Sequence, residues 1–227
     1  MSDVVAVLGG TGALGRALAL RLARKGRPVV LGSRDAARAE ATAAELREAL
    51  AAAGVDAEVA GASNAEAAAA GQVVLLATPW DESGDSIAVL ASALAGRLVV
   101  SCINPLGFDS RGPHGLPVAE GSAAEQVAAL LPDSTVTAAF HHLSAPSLAN
   151  LDKDLSGEDV LVCGDEADAR AQVVDLAAEV TGRPGVDVGP LRQARVLEPF
   201  TAVLIAVNRR YKTRAGVQLT HVDLSRG

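Results

Sequence analysis

The segment from Val4 to Gly15 restricts the fold of this chain more than any other. A short β-branched and aliphatic run ends at Leu8. Gly10-x-Gly12-x-x-Gly15 follows, and Leu14, Leu18, Leu22 and Ala23 then recur at helical spacing up to Gly26, where glycine suits a helix end. G-x-G-x-x-G alone is a weak pattern. Between a strand and an amphipathic helix it becomes specific. Glycine at these points permits a tight turn, lets the main chain approach a pyrophosphate, and lets the helix pack closely on the strand. The helix N-terminus adds unpaired N–H groups and a partial positive charge. Gly10, Thr11, Gly12, Ala13, Leu14 and Gly15 are therefore expected to hold the phosphates of a dinucleotide.

The rest of the chain alternates strand and helix patterns. Strands are predicted at 28–31, 55–59, 72–78, 97–101 and 134–139, with helices at 35–54, 64–70 and 86–94. A further helix over 122–131 opens on the S-x-x-E pattern of a capping box, Ser122-Ala-Ala-Glu125. Such alternation implies right-handed crossovers and an α/β fold, a Rossmann doubly wound parallel sheet over residues 1–145. The stretch 103–121, rich in Gly, Pro and Asp, reads as a long loop. Residues 146–227 are expected to form a small C-terminal α/β domain that closes over the cofactor. It contains strands at 159–163 and 186–188, a helix over 167–180, and a last helix over 191–211. Val196, Phe200, Val203, Leu204 and Val207 give that last helix an apolar face larger than a small domain buries alone, which suggests a homodimer contact.

Charge narrows the partners. With 20 Lys and Arg against 27 Asp and Glu, the net charge of −7 argues against general binding to nucleic acid or an anionic membrane. No apolar run reaches the ~18 residues of a membrane span. Met1-Ser2-Asp3 leads directly into the first strand, with no secretory signal pattern. Cys102 and Cys163 make no metal-ligand spacing and read as buried thiols of a reducing compartment. The expectation is a cytoplasmic protein without a metal site.

The end of the second strand selects the dinucleotide. An NAD site usually carries Asp or Glu there, bonding the ribose 2′-OH. This chain has Gly32-Ser33-Arg34, with Arg38 one helical turn on. A hydroxyl and two guanidinium groups suit a 2′-phosphate. Asp35 is better placed as a helix cap or first-turn anion. The cofactor read from these residues is NADP.

Several further segments carry a resemblance: Gly9-Gly10-Thr11-Gly12, Leu18 to Ala23, Gly32-Ser33-Arg34, Thr78-Pro79-Trp80, Ser122 to Glu125, Ala149-Asn-Leu-Asp152, Val162-Cys-Gly-Asp165 and Gly189-Pro190-Leu191. In this order they resemble the NADPH-dependent coenzyme F420 reductases, or F420:NADP oxidoreductases, over nearly the whole chain. The resemblance implies an oxidoreductase that transfers a hydride between NADP(H) and the deazaflavin coenzyme F420. The cofactors carry that chemistry and the protein orients them. It implies that the phosphate loop with Ser33, Arg34 and Arg38 holds NADP, and that Thr78 and Pro79 lie at the ligand edge of the sheet. Asn104, Pro105, Ser144 and Ala145 would border the rings, and His141 would hydrogen-bond the deazaflavin. Trp80 either walls the nicotinamide pocket or packs half-buried. In the pair His141-His142, one ring can serve the site while the other packs. The basic group Arg209, Arg210, Lys212 and Arg214 either complements a helix C-terminus or attracts the acidic tail of F420. Two other functions remain compatible: an NADPH-dependent reductase of an imine, flavin or metal complex, and a non-catalytic NADP-sensing module.

Overall fold

The structure, a computed structural model, describes residues 3–224; residues 1–2 and 225–227, the last of these within the domain expected over 146–227, lie outside that range. The first half runs β1 (Val5–Leu8), α1 (Ala13–Arg24), β2 (Val29–Ser33), α2 (Ala36–Ala52), β3 (Val59–Ser63), α3 (Asn64–Ala70) and β4 (Val73–Leu76). Two short helices follow, α4 (Asp85–Ala88) and α5 (Ala91–Leu94), then β5 (Leu98–Ser101), β6 (Leu106–Asp109), β7 (Gly112–Gly115), α6 (Ala123–Leu130) and β8 (Thr135–Ala138). The remainder is α7 (Ala145–Ala149), β9 (Leu161–Gly164), α8 (Ala167–Thr181), β10 (Val186–Asp187), a 3-10 turn (Leu191–Gln193) and α9 (Ala194–Tyr211).

Eight strands form one sheet in the order β10-β9-β8-β5-β4-β1-β2-β3. The pairs from β3 to β8 are parallel, and the order reverses between β1 and β4, the topological switch point at which such sheets bind ligands. Apolar side chains cover both faces, as a buried parallel sheet requires. Leu18, Leu46 and Leu176, from α1, α2 and α8, sit in one core layer; Ala67, Leu94 and Val127, from α3, α5 and α6, sit in the other.

Four features depart from the sequence reading. The sheet does not close at β8: β9 pairs with it antiparallel, Ala138 opposite Cys163, and β10 extends β9 in parallel. The boundary expected at residue 145 thus falls in a connection, with one sheet on either side. The third strand begins at Val59, where that reading ended it. Gly61 lets α2 lie against this strand, since a Cβ there would fall 2.1 Å from the Glu40 nitrogen. The helix expected over 86–94 breaks into α4 and α5. The expected loop at 103–121 contains the hairpin β6-β7, turned by Asp109, whose Oδ1 accepts from Arg111 N at 2.8 Å and Gly112 N at 3.1 Å. That Asx-type turn is legible only once the flanking strands have α9 to pack on.

Capping also divides differently. At Ser63 the reciprocal box forms, with Glu66 accepting from the Ser63 nitrogen at 3.0 Å. At Ser122 the hydroxyl accepts from Glu125 N at 3.1 Å, but the Glu125 carboxylate turns to the hydroxyl of Ser122 and to Arg195.

Candidate active site

The phosphate loop is shaped by contacts that exclude side chains. Gly9 has φ +74° and faces the Ala77 carbonyl, which an added Cβ would approach to 2.6 Å. At Gly15 a Cβ would fall 2.6 Å from the Gly9 oxygen, so glycine is what lets α1 start against the loop. Gly12 caps α1 without a side-chain acceptor. The first-turn N–H groups are left for an anion.

At the end of β2, Ser33 is buried, and its hydroxyl accepts from Asp35 N at 3.2 Å. Asp35 is the N-cap of α2; its Oδ1 accepts from Ala37 N at 3.0 Å and Arg38 N at 3.2 Å. The carboxylate is therefore engaged by the helix. Arg34 and Arg38 are exposed, and neither guanidinium has a hydrogen-bond or ion-pair partner among the described residues. A carboxylate taken up by a cap and two unpaired cations fit a phosphate better than a free ribose hydroxyl.

A cleft of about 540 Å³ opens beside the ends of β5 and β8, under α9. Five of the expected residues line it: Leu14, Asn104, His141, Ser144 and Ala145. Leu14 belongs to the first turn of α1, so the cleft adjoins the phosphate loop.

His141 is brought there by the residue before it. Phe140 is fully buried with φ 63°, a left-handed conformation that a bulky side chain avoids unless its surroundings impose it. The turn it makes swings the chain out of β8. The His141 carbonyl then accepts from Asn104 Nδ2 at 2.6 Å and from the Thr201 hydroxyl at 3.3 Å. His141 is 2% exposed; neither ring nitrogen makes a hydrogen bond of good geometry among the described residues, although the Ala139 main chain lies near enough to favour the charged ring slightly. Burial, helped by the neighbouring His142, pushes its pKa down to about 3, so the ring is neutral. A neutral imidazole with free nitrogens can donate or accept one hydrogen bond to a ligand. His142 is held differently. Its Nε2 is 2.8 Å from the Asp159 carbonyl, and its ring stands edge-on to His141 at 5.2 Å.

The other expected residues lie apart from the cleft wall. Thr78 follows β4, and its buried hydroxyl has no partner among the described residues. Such an orphan beside the switch point fits a bound polar group. Pro79 is exposed and Pro105 buried. Trp80 is half-buried in the core layer with α6, and its Nε1 donates to Gln126 Oε1 at 3.0 Å, so it packs. Two members of the basic group, Arg209 and Arg214, also line the cleft; sequence reasoning missed Thr201, Asn208 and Ala215 there. Asn208 Oδ1 accepts from Ala215 N at 2.6 Å and so anchors the chain at that point. The available signal was two polar residues, Thr201 and Asn208, seven apart in the otherwise apolar stretch from Pro199 to Asn208. Among the described residues no group of three or more His, Cys, Asp or Glu could hold a metal ion, and no helix is long and apolar enough to cross a membrane.

Known proteins resemble this chain in sequence and in fold. A family model described as NADP oxidoreductase coenzyme F420-dependent matches residues 4–105, the segment that holds the phosphate loop, Ser33, Arg34 and Asn104. The F420-dependent NADP reductase of Methanocaldococcus jannaschii is 35% identical over 223 residues, covering 97% of this chain and 99% of that one. A crystal structure from Arthrobacter, assigned as an F420-dependent NADP reductase, superposes with a TM-score of 0.78 at 29% identity, covering 97% of this chain and all of that one. The rat metalloreductase STEAP3 is 32% identical over 86% of this chain, which spans 36% of that protein. With full-length identity above a third, joined to a phosphate loop and a cleft built as described, the chain belongs to the coenzyme F420-dependent NADP oxidoreductase family.

Proposed function

We propose that this protein transfers a hydride between NADP(H) and the deazaflavin coenzyme F420. The two cofactors supply the chemistry, hydride leaving one ring for the other, and the chain has to hold both rings close, oriented and dry. Gly10 to Gly15 take the pyrophosphate, Ser33 with Arg34 and Arg38 the 2′-phosphate, and Thr78 and Pro79 the nicotinamide side. Asn104 and Thr201 fix the backbone of His141, whose neutral ring bonds a polar edge of the deazaflavin and stabilises charge that develops there. Ser144 and Ala145 let that ring approach the main chain.

The observation that carries this reading is the buried His141 ring. Among the described residues neither nitrogen has a hydrogen bond of good geometry, and the cleft also receives Leu14 from the phosphate-loop helix. The test is to mix the protein anaerobically with NADPH and oxidised F420 and follow deazaflavin absorbance. Bleaching with NADPH, and much less with NADH, is expected. Tight NADPH binding without bleaching would redirect the search to another acceptor or to a sensor.

Residues 146–227 serve closure and assembly in this reading. Val196, Phe200 and Val203, spaced four and three apart on α9, are 66%, 36% and 52% exposed, and a second copy of the chain would cover them as a homodimer. The free, buried thiols Cys102 and Cys163 suit a reducing cytoplasm.

A further inference from the structure

We propose that Arg21, on the helix that begins at the phosphate loop, is a positioning residue for hydride transfer: by holding α7 it sets the Ser144–Pro146 wall of the cleft against Leu14. This rests on the functional reading above.

Arg21 is 9% exposed and forms no ion pair among the described residues. Its guanidinium is spent on main-chain carbonyls. Nε donates to Leu148 O at 2.8 Å, and Nη2 to Asn150 O at 2.5 Å, Lys153 O at 3.1 Å and Ser147 O at 3.4 Å. These are the last carbonyls of α7 and the turn after it, which a helix leaves without internal partners. A five-residue helix has no stability of its own. α7 also has no side-chain cap at its N-terminus, and its C-cap Asn150 is extended. Its place is therefore set by what grips it, and Arg21 grips its end.

The geometry links this grip to the cleft. Leu14 and Arg21 are seven residues apart on α1 and share a face. At the upper end of that face Leu14 lines the cleft with Ala145 and Pro146, the first residues of α7. At the lower end Arg21 holds the last turn of α7. One helix thus carries the phosphate loop and fixes the opposite wall, so the two rings are referred to a common strut. Lysine keeps the charge, but it presents three donors on one atom and cannot fan out to carbonyls of four residues.

The experiment compares wild type, Arg21→Lys and Arg21→Met, with Arg27→Met as a control. The control breaks the Arg27–Glu179 pair (2.6 Å), which ties the turn after α1 to α8 away from the cleft. A misplacement of about 1 Å costs on the order of 100-fold in rate, so both Arg21 variants should lose about ten-fold or more in kcat. The Kd for NADPH should stay within about two-fold, because the phosphate loop is unchanged. The isotope effect with NADPH deuterated at the transferred position should rise, and hydrogen exchange at residues 147–153 should quicken. Arg27→Met should lower the melting temperature while leaving kcat unchanged. Arg21 variants that melt earlier yet keep kcat and the isotope effect, or that keep slow exchange at 147–153, would overturn the proposal. Wild-type protein that fails to bleach F420 would sink the functional reading instead, and exchange at 147–153 would then judge the grip alone.

Discussion

The Glu198 carboxylate sits on the first turn of α6, 2.8 Å from the Ala123 nitrogen. Its other oxygen is 2.9 Å from the Ala124 nitrogen. A side chain of α9 thereby takes up the two first-turn N–H groups of α6 that the N-cap Ser122, bonded to Glu125 N, does not reach. The group is 1% exposed, and burial raises its pKa from 4.5 to about 7, against the pull of the two N–H groups and with some help from Glu125.

The sign of the resulting pH dependence follows. Between about pH 4.5 and 7 the folded chain holds a proton on Glu198 that the unfolded chain has lost. This group's contribution therefore falls as pH rises through that window, by roughly 3 kcal/mol, and levels off above it. Glu198→Gln cannot titrate and turns an amide NH₂ towards one N–H, at a cost of about 1–3 kcal/mol. The gap in melting temperature between wild type and Glu198→Gln should narrow from pH 5 to pH 8. A constant gap would mean that Glu198 does not titrate there.

His141 makes a contrasting prediction for activity. With its pKa pushed down to about 3, the ring stays neutral over the working range, so kcat/KM for F420 should show no limb near pH 6.5 that belongs to it. His141→Ala should weaken F420 binding or kcat by about five- to thirty-fold, the loss of about one or two kcal/mol of hydrogen bonding. NADPH affinity should barely change. A limb near pH 6.5 that vanishes in the variant would contradict the neutral ring.

Arg34 should govern the choice of dinucleotide. Arg34→Ala removes a charged hydrogen bond to the 2′-phosphate, which is worth about 1.5–3 kcal/mol. The KM for NADPH should rise by about ten- to a hundred-fold, with NADH use unchanged. The NADPH effect should also shrink as salt is added. Equal losses with both dinucleotides would assign Arg34 a structural role.

The basic group at the end of α9 divides in two. Arg209 and Arg214 line the cleft, and Arg209 also lies 5.5 Å over the Phe108 ring; Arg210 and Lys212 do not line it. Arg214→Glu should raise the KM for long-tailed F420 more than for a deazaflavin without the acidic tail. Arg210→Glu should do neither, since a solvated cation at a helix end is worth only about 0.3–1 kcal/mol of stability. If the two charge reversals act alike, the cluster serves the helix and not the tail.

The α9 stripe predicts assembly. Val203→Glu should shift the protein from dimer to monomer in light scattering, because a charge in an apolar contact is left unpaired. A monomeric wild type would remove the dimer from the functional reading.

The sequence by itself determined the turn of the glycine loop, the alternation of strands and helices in a doubly wound parallel sheet, and the use of Asp35 as a cap beside two exposed arginines. These depend on local constraints: glycines where a Cβ collides, helical and strand periodicities, and a cap at Asp35 that withdraws its carboxylate. Tertiary structure decided the rest. Nothing local says that β9 adds antiparallel to β8, that residues 106–115 fold back as a hairpin on α9, or that Trp80 turns to Gln126. Arg21 reads as one more cation on a helix until α7 and the turn after it, more than 120 residues away, supply four carbonyls. His141 was legible as a candidate, but its unpaired, neutral state was not. That state follows from Phe140 in a left-handed turn and from Asn104 and Thr201 holding the carbonyl. Short-range sterics are written along the chain, whereas burial and partnership exist only once distant segments are packed together.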